Sequence, residues 1–408
     1  MIWSVAWRNI WRNKVRSGVV LTAIALGIFA GVFSMAFMRG MANQRLESAI
    51  MTEISHIQIH NPEFLNVNDL KNYFQGSAKV LDKASATEGV QSASRRIIVN
   101  SIVNSAEKGG GVKLIGIEPE REKKVTNLHE KIVSGNYLEE MKRSKPIVIG
   151  QKLAEKLGVE EGSKIVAGIL DINGTPLYYQ FRVAGIFDVV SSPFEEGNAF
   201  VRYSDLEQIT GLPEGSAHEI AVLLNSRGIT EKLTNSLEKK FPDLAVRHWK
   251  EIMPELSYLT ESMNLYMYIF ILIILLALGF GIVNTMLMVV LERIKELGML
   301  MAVGMNKLRI FGMIMLETVY LCLTGGVAGV ILGAGISLYF SKKGLDLSGL
   351  YGEGLSAIGY DSVIFTSLNA SMIYITVTLV IITGIISSIY PAIKALRLNP
   401  ANAIRTDA

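Results

Sequence analysis

Four stretches of this chain contain no Asp, Glu, Lys or Arg: Ser17–Met38, Ser262–Leu291, Thr318–Ser341 and Ser362–Ile393. The shortest has 22 residues, and at about 1.5 Å per residue a helix of that length crosses the roughly 30 Å of a bilayer's hydrocarbon. A soluble core can hide one such run, but four predict four transmembrane helices. The first run is too long for the apolar core of a signal peptide, and a basic, Trp-rich segment precedes it, so it is expected to stay in the mature protein.

Charge then orients the chain. Among 408 residues, 40 Lys and Arg against 37 Asp and Glu give a net of +3, but the balance is uneven. Arg8, Arg12, Lys14 and Arg16 precede the first run, Arg293, Lys295, Lys307 and Arg309 separate the second from the third, and Lys394, Arg397 and Arg405 follow the fourth. The positive-inside rule puts both termini and the second loop in the cytoplasm. The long segment Asn43–Glu261 must then lie outside, where it has a net charge of −4. Its size suffices for a folded domain with its own core.

The sequence therefore predicts an α-helical membrane protein with four transmembrane helices and a large α+β, two-lobed external domain inserted between helices 1 and 2. The expected organisation is an interfacial amphipathic helix over 1–16, spans over 17–42, 262–291, 309–341 and 362–393, and the external domain over 43–261. A cytoplasmic helix over 292–308, a short external loop over 342–361 and a cytoplasmic tail over 394–408 complete it. In the external domain, alternation predicts a strand over Ile54–His60, with Ile57 and Ile59 on one face and His56, Gln58 and His60 on the other. Strands are also expected over Arg96–Val103, Val112–Ile117, Pro146–Gly150, Lys164–Leu170, Leu177–Phe187, Glu219–Leu224 and Leu244–Arg247, with helices over Asp69–Lys83, Gln151–Leu157 and Thr230–Lys240. Gly109, Gly110 and Gly111 read as a hairpin turn, and Asp171–Pro176 as turn chemistry. The one cysteine, Cys322, lies in the third run, so no disulfide holds the external domain.

Few motifs carry enzyme chemistry. There is no GxxxxGK[ST], GxSxG, HExxH or CxxC, and no Gly-Lys dipeptide at all, so these residues form no P-loop. His56 and His60 would stand about 13 Å apart on a strand, too far to share a metal. No metal, bound cofactor or nucleic-acid partner is expected. Trp3, Trp7 and Trp11 recur every four residues beside Arg8, Arg12 and Arg16, which fits a helix in the headgroup layer with indoles at the interface and arginines on anionic lipid. Glu317, near the cytoplasmic end of the third span, reads as a partner for Arg309 or a backbone group. Gly325, Gly329 and Gly333 are spaced as GxxxG and predict a helix-packing face. Between the second and third spans, Ile294, Leu297 and Leu300 or Met301 share one helical face amid Glu292, Arg293, Lys295 and Glu296, a short amphipathic helix bounded by Gly304 that suits a protein groove.

Glu292–Gly304 (ERIKELGMLMAVG) resembles the coupling segment of the FtsX-like permeases, a superfamily that includes the lipoprotein-releasing LolC/LolE type, the macrolide exporter MacB and the division protein FtsX. Ala6–Gly40, Phe311–Gly333, Tyr390–Arg405, Pro146–Gly168 and Phe181–Tyr203 are similar to that superfamily as well. The resemblance implies a permease of the bacterial inner membrane with a MacB-like periplasmic domain, paired with a second permease copy or a paralogue. It also implies a dimer of separate ABC ATPase subunits, which bind the ATP and Mg. Glu292, Arg293, Lys295, Glu296, Gly298 and Gly304 would form the ATPase-docking element. Ser55–His60 and Asp171–Gln180 are similar to the lipoprotein-releasing branch, where a loop at this place engages a periplasmic lipoprotein carrier, and Asn173, Gly174, Thr175 and Pro176 would be its tip. Glu317 followed by Gly325-Gly326 is similar to the MacB branch. Export of small molecules or peptides from the periplasm, or FtsX-like signalling to a periplasmic hydrolase, are the alternatives to lipoprotein release.

Overall fold

The computed structural model describes residues 2–12, 14–138 and 145–397. In chain order the helices are α1 (Ile2–Arg12), α2 (Lys14–Ser48), α3 (Ser77–Ser85), α4 (Pro119–Glu122), α5 (Gln151–Leu157), α6 (Ser192–Gly197) and α7 (Tyr203–Thr210), then α8 (Thr230–Lys240), α9 (Trp249–Ile252), α10 (Pro254–Glu292), α11 (Ile294–Ala302), α12 (Lys307–Lys343), α13 (Ser348–Ala357) and α14 (Ala370–Leu396). The strands are β1 (Ile57–His60), β2 (Val90–Asn104), β3 (Gly109–Ile117), β4 (Ile132–Gly135), β5 (Pro146–Gly150), β6 (Lys164–Leu170), β7 (Pro176–Phe187), β8 (Asn198–Arg202), β9 (Glu219–Leu224), β10 (Ala245–His248), β11 (Leu345–Asp346) and β12 (Val363–Ile364). The chain divides into two compact units, Met1–Asn43 with Thr260–Asp346 and Val363–Ala408, and Gln44–Leu259 with Leu347–Ser362.

The first unit is a helical bundle; among the described residues four helices are long and apolar enough to cross a membrane. Its core is a set of faces at helical spacing: Ile24, Ile28 and Val32 on α2, Leu278, Ile282 and Met286 on α10, and Ile314, Leu321 and Cys322 on α12. Opposite faces leave Phe280, Ile331 and Ile386 exposed, as a surface solvated by hydrocarbon requires. The charge-free run 362–393 is not one helix. Val363 and Ile364 pair with Asp346 and Leu345, and α14 begins only at Ala370, where the Asn369 side chain accepts from the Ser371 amide at 3.2 Å. Apolarity alone does not separate a β-branched strand from the helix that follows it.

The second unit is an α/β domain on one mixed sheet of ten strands, ordered β10-β1-β9-β2-β3-β8-β5-β7-β4, with β6 pairing β2 and β7. β3 with β8 and β5 with β7 run parallel, and the other pairs are antiparallel. The two largest apolar cores of the domain pack on this sheet. One gathers Ile97, Leu114, Ile149, Leu153, Phe181 and Leu206, and the other Ile59, Leu81, Val222, Leu237 and Val246. β2 is long enough to belong to both.

Several local expectations shift. β1 is buried on both faces: Ile57 and Ile59 enter a core with Leu81 and Leu237, and on the other face the polar residues bond internally, His60 meeting the His218 carbonyl at 3.0 Å and Gln58 Oε1 at 2.9 Å. Among the described residues no cluster could hold a metal. α3 starts at Ser77, not Asp69, because Asp69 accepts the Lys71 amide at 2.9 Å in a turn of its own and Gly76 takes φ +69°. Gly109–Gly111 are not the turn but the first residues of β3, paired with Ile102–Asn104, and Ser105 to Lys108 make the reversal.

Candidate functional site

The residues between α10 and α12 form a polar knot inside the first unit. α10 stops at Glu292, and Arg293 turns the chain into α11. Arg293 Nη1 donates to both oxygens of Glu317 on α12, at 3.0 and 3.2 Å, and its Nε donates to Glu296 at 3.0 Å. The Arg293 and Glu317 side chains are only 14% and 5% exposed. Asn9 of α1 adds a donor to Glu317 at 2.6 Å, and Arg12 of α1 pairs with Glu296. Glu317 therefore ties α1, α12 and the α10–α11 corner together. Arg309 is not its partner: eight residues of helix put Arg309 about 12 Å away along the axis. The Arg12 hydrogen bond, followed by those of Arg293, holds the Glu296 carboxyl below its ordinary range.

The energetic weights differ. Removing one side of the mostly buried Arg293–Glu317 pair leaves a desolvated charge, at a cost of about 3–5 kcal/mol. The Arg12–Glu296 pair has side chains 57% and 40% exposed and contributes about 0–1 kcal/mol.

α11 itself has two sides. Leu297 and Gly298 are buried, while Lys295, Met299 (56% exposed) and Val303 (89%) face outward, and Gly304 closes the turn at φ +96°. Glu292 is exposed at the end of α10. Of the residues the sequence placed in a docking element, Arg293 and Glu296 are thus turned toward the protein. Met299 and Val303, which the charge pattern did not single out, form the outer apolar face.

In α1 the indoles of Trp3, Trp7 and Trp11 are exposed, and Trp7 stacks edge-on against both Trp11 and Tyr320. On the arginine side of α1, Arg12 pairs with Glu296 while Arg8 is exposed.

On α12, Gly325, Gly329 and Gly333 face α2. A Cβ would stand 2.9 Å from Ile24 at Gly325, 2.6 Å from the Ala25 carbonyl at Gly329, and 3.0 Å from Val32 at Gly333.

In the second unit, the hairpin between β6 and β7 exposes Asn173, Gly174 and Thr175, and its turn is set by Asp171, whose side chain accepts the amides of Asn173 and Thr175 at 2.9 and 2.7 Å. Pro176 is not part of the tip: it opens β7 opposite Leu170. The hairpin is also anchored, since the Ile172 amide donates to the Thr210 carbonyl at 3.1 Å. The end of the tail, with Pro400 and Arg405, lies outside the described residues.

Residues 17–240 match the MacB-like periplasmic core domain, and residues 268–400 match the FtsX-like permease C-terminal family. The chain belongs to the FtsX-like and MacB permease superfamily. Among its relatives, the macrolide export ATP-binding/permease protein MacB of Neisseria meningitidis is 26% identical over 274 residues, 64% of this chain and 38% of that protein. An uncharacterised ABC transporter permease of Methanocaldococcus jannaschii is 24% identical over 236 residues, 55% of each. The chain thus spans little more than a third to about half the length of these relatives. The crystal structure of the periplasmic region of MacB from Actinobacillus actinomycetemcomitans aligns at 16% identity and a TM-score of 0.36, covering 52% of this chain and 97% of that one. The superfamily match brings the knot at Glu317 and the outer face of α11 into the C-terminal family region, and the hairpin into the periplasmic-core region.

Proposed function

We propose that this chain is the permease subunit of an ABC transporter, lodged in the bacterial inner membrane with both termini cytoplasmic and the α/β domain periplasmic. The observation that carries the reading is α11, a short helix tied to Glu317 through Arg293 at its start while Met299 and Val303 face outward. An ATPase subunit dimer, holding the ATP and Mg, docks on that outer face. Its closure pushes α11, and the buried Arg293–Glu317 pair passes the displacement to α12 while Asn9 and Arg12 pass it to α1. A second permease copy or a paralogue completes the complex. Met299→Asp with Val303→Asp is the test: it places two charges on the docking face without touching the knot. ATPase subunits should no longer copurify. Full retention of a coupled ATPase in that double variant refutes the docking face.

For the cargo, the reading is release of lipoproteins from the inner membrane to a periplasmic carrier, supported by the exposed, Asp171-ordered tip of Asn173, Gly174 and Thr175. The likeness to relatives named as macrolide exporters supports a second reading, export of small molecules or peptides from the periplasm. Photocrosslinkers at 173 and 175 separate the two. A crosslinked lipoprotein carrier selects the first, and copurification of an adaptor with an outer-membrane channel selects the second.

A further inference from the structure

The segment that joins α2 to β1 has a strained backbone. Ala49–Ile54 carry α2 on as a π-helical turn, and the Ser55 amide donates five residues back, to the Ile50 carbonyl, at 2.9 Å. Ser55 then takes φ +64° and ψ −179°, and among the described residues no other non-glycine residue has a positive φ. Glycine adopts that conformation freely, whereas a residue with a Cβ is strained there. The serine hydroxyl does not compensate, because Ser55 is fully buried and its Oγ has no hydrogen-bond partner.

Two sets of contacts hold the wide turn. The Met51 carbonyl, which an α-helix would give to the Ser55 amide, accepts the Asn127 amide at 3.0 Å, and the Thr52 hydroxyl donates to Asn127 Oδ1 at 2.9 Å. Glu53, inside the turn, accepts from Arg45 at 2.8 Å, with side chains only 7% and 10% exposed. In an unbroken α-helix, residues eight apart stand about 80° apart around the axis, so it is the wide turn that brings Glu53 back over Arg45. Wound as an α-helix, the same residues would hand the Met51 carbonyl to the Ser55 amide and return Ser55 to a negative φ. Its hydroxyl would then reach the Met51 or Thr52 carbonyl. Single π-helical turns within α-helices occur frequently at functional positions.

We infer that the junction between α2 and β1 is a two-state switch: a wide turn latched by Asn127 and by the Arg45–Glu53 pair, and an α-helical turn into which Ser55 drives the chain once those contacts let go. The strain at Ser55 is the spring. Winding turns Glu47 relative to β1 by about 100°, one residue's rotation, so a group about 5 Å from the helix axis moves about 8 Å. The switch requires neither an ATPase on α11 nor a particular cargo, and it can fail while both of those readings stand.

The experiment uses the full chain in nanodiscs, with buried Cys322 replaced by Ala and nitroxides on Glu47→Cys and on either Lys79→Cys or Lys239→Cys, exposed positions on α3 and α8. Pulsed electron paramagnetic resonance reads the distances. Without further change one dominant distance is expected. Thr52→Val, which loses only the hydroxyl, and Glu53→Gln, which loses the charge facing Arg45, should each bring in a second distance displaced by up to about 8 Å. Adding Ser55→Gly, which relieves the strain of the wide turn, should shrink that second population about tenfold or more. Two results overturn the inference: one unchanged distance in both Thr52→Val and Glu53→Gln, or a second population that Ser55→Gly leaves as large as before.

Discussion

Replacing Gly329 by Ala adds one methyl group at the closest approach of α12 to α2. The new Cβ would fall 2.6 Å from the Ala25 carbonyl oxygen and 2.7 Å from Ile28 Cβ. Neither atom is the free end of a side chain, so no rotamer change makes room and the two helices must separate by most of an ångström. Overpacking of this kind costs about 1–3 kcal/mol. Against it stands the intrinsic gain of Gly→Ala in a helix, about 1 kcal/mol. Gly335→Ala cancels that term: Gly335 lies on the same helix with nothing within 4 Å of its Cβ position. The stability difference between the two variants should therefore be about 1–3 kcal/mol, with Gly329→Ala the weaker. Gly333→Ala, whose Cβ would meet Val32 Cβ at 3.0 Å, should fall between them. Equilibrium unfolding of the full chain in mixed micelles of rising dodecyl sulfate content measures each. Equal stabilities for the 329 and 335 variants would refute the reasoning that bare backbone at Gly329 sets the helix spacing.

Four further outcomes follow from the structure. Glu317→Gln keeps an acceptor for Asn9 but removes the charge facing Arg293, so ATPase subunits should still copurify while their stimulation by substrate drops severalfold; unchanged stimulation counts against the knot as the transmission element. Arg96→Ala leaves Glu122 and Glu219 buried without their cation and should destabilise the α/β domain by about 3–5 kcal/mol, read from thermal unfolding, whereas a neutral effect would show that water reaches the site. Burial lowers the ring pKa of His56 and of His218 from 6.5 to about 4, so the unfolded chain takes up protons that the folded one refuses; stability should fall as pH drops below 6.5, by about 1 kcal/mol per ring between pH 7 and 5.5. Glu195 acts oppositely: burial, with Asp188 adding, pushes its carboxyl up to about 7, so the folded chain gains protons as pH falls, and Glu195→Gln should steepen the acid loss seen in the unfolding midpoint.

The elements were legible wherever a pattern was local. Freedom from charge marked the four spans, and alternation or short apolar runs marked β5, β6, β7 and β9 to within a residue. What escaped was set by partners far along the chain. Glu317 meets Asn9 across 308 positions and Arg293 across 24, and no spacing rule reaches either contact. Gly109–Gly111 carry turn composition but sit in β3, because β2 offers a ladder long enough to hold them. Val363 and Ile364 look like span residues until Leu345 and Asp346 arrive beside them. The glycine face of α12 was visible as a period of four, but which helix it meets was not. Of the charges around α11, Arg293 and Glu296 turn to partners on α12 and α1 that lie far along the chain, while Glu292 and Lys295 stay exposed.

The position of β1 and β10 has a mechanical consequence. β1 follows the first long helix, β10 leads through α9 into the second, and the two strands are antiparallel neighbours with Ile57 opposite His248. A domain of some two hundred residues therefore starts and finishes on adjacent rungs of one ladder. Leu46, Ile50, Trp249 and Leu256 close an apolar clasp over those rungs. Pulling the two feet apart would open this ladder as a zipper, one rung at a time and starting at Ile57, which is the weakest way to load antiparallel strands. Moving both feet together loads none of it. The same closeness would let the whole domain be exchanged between permeases through two chain junctions that lie side by side.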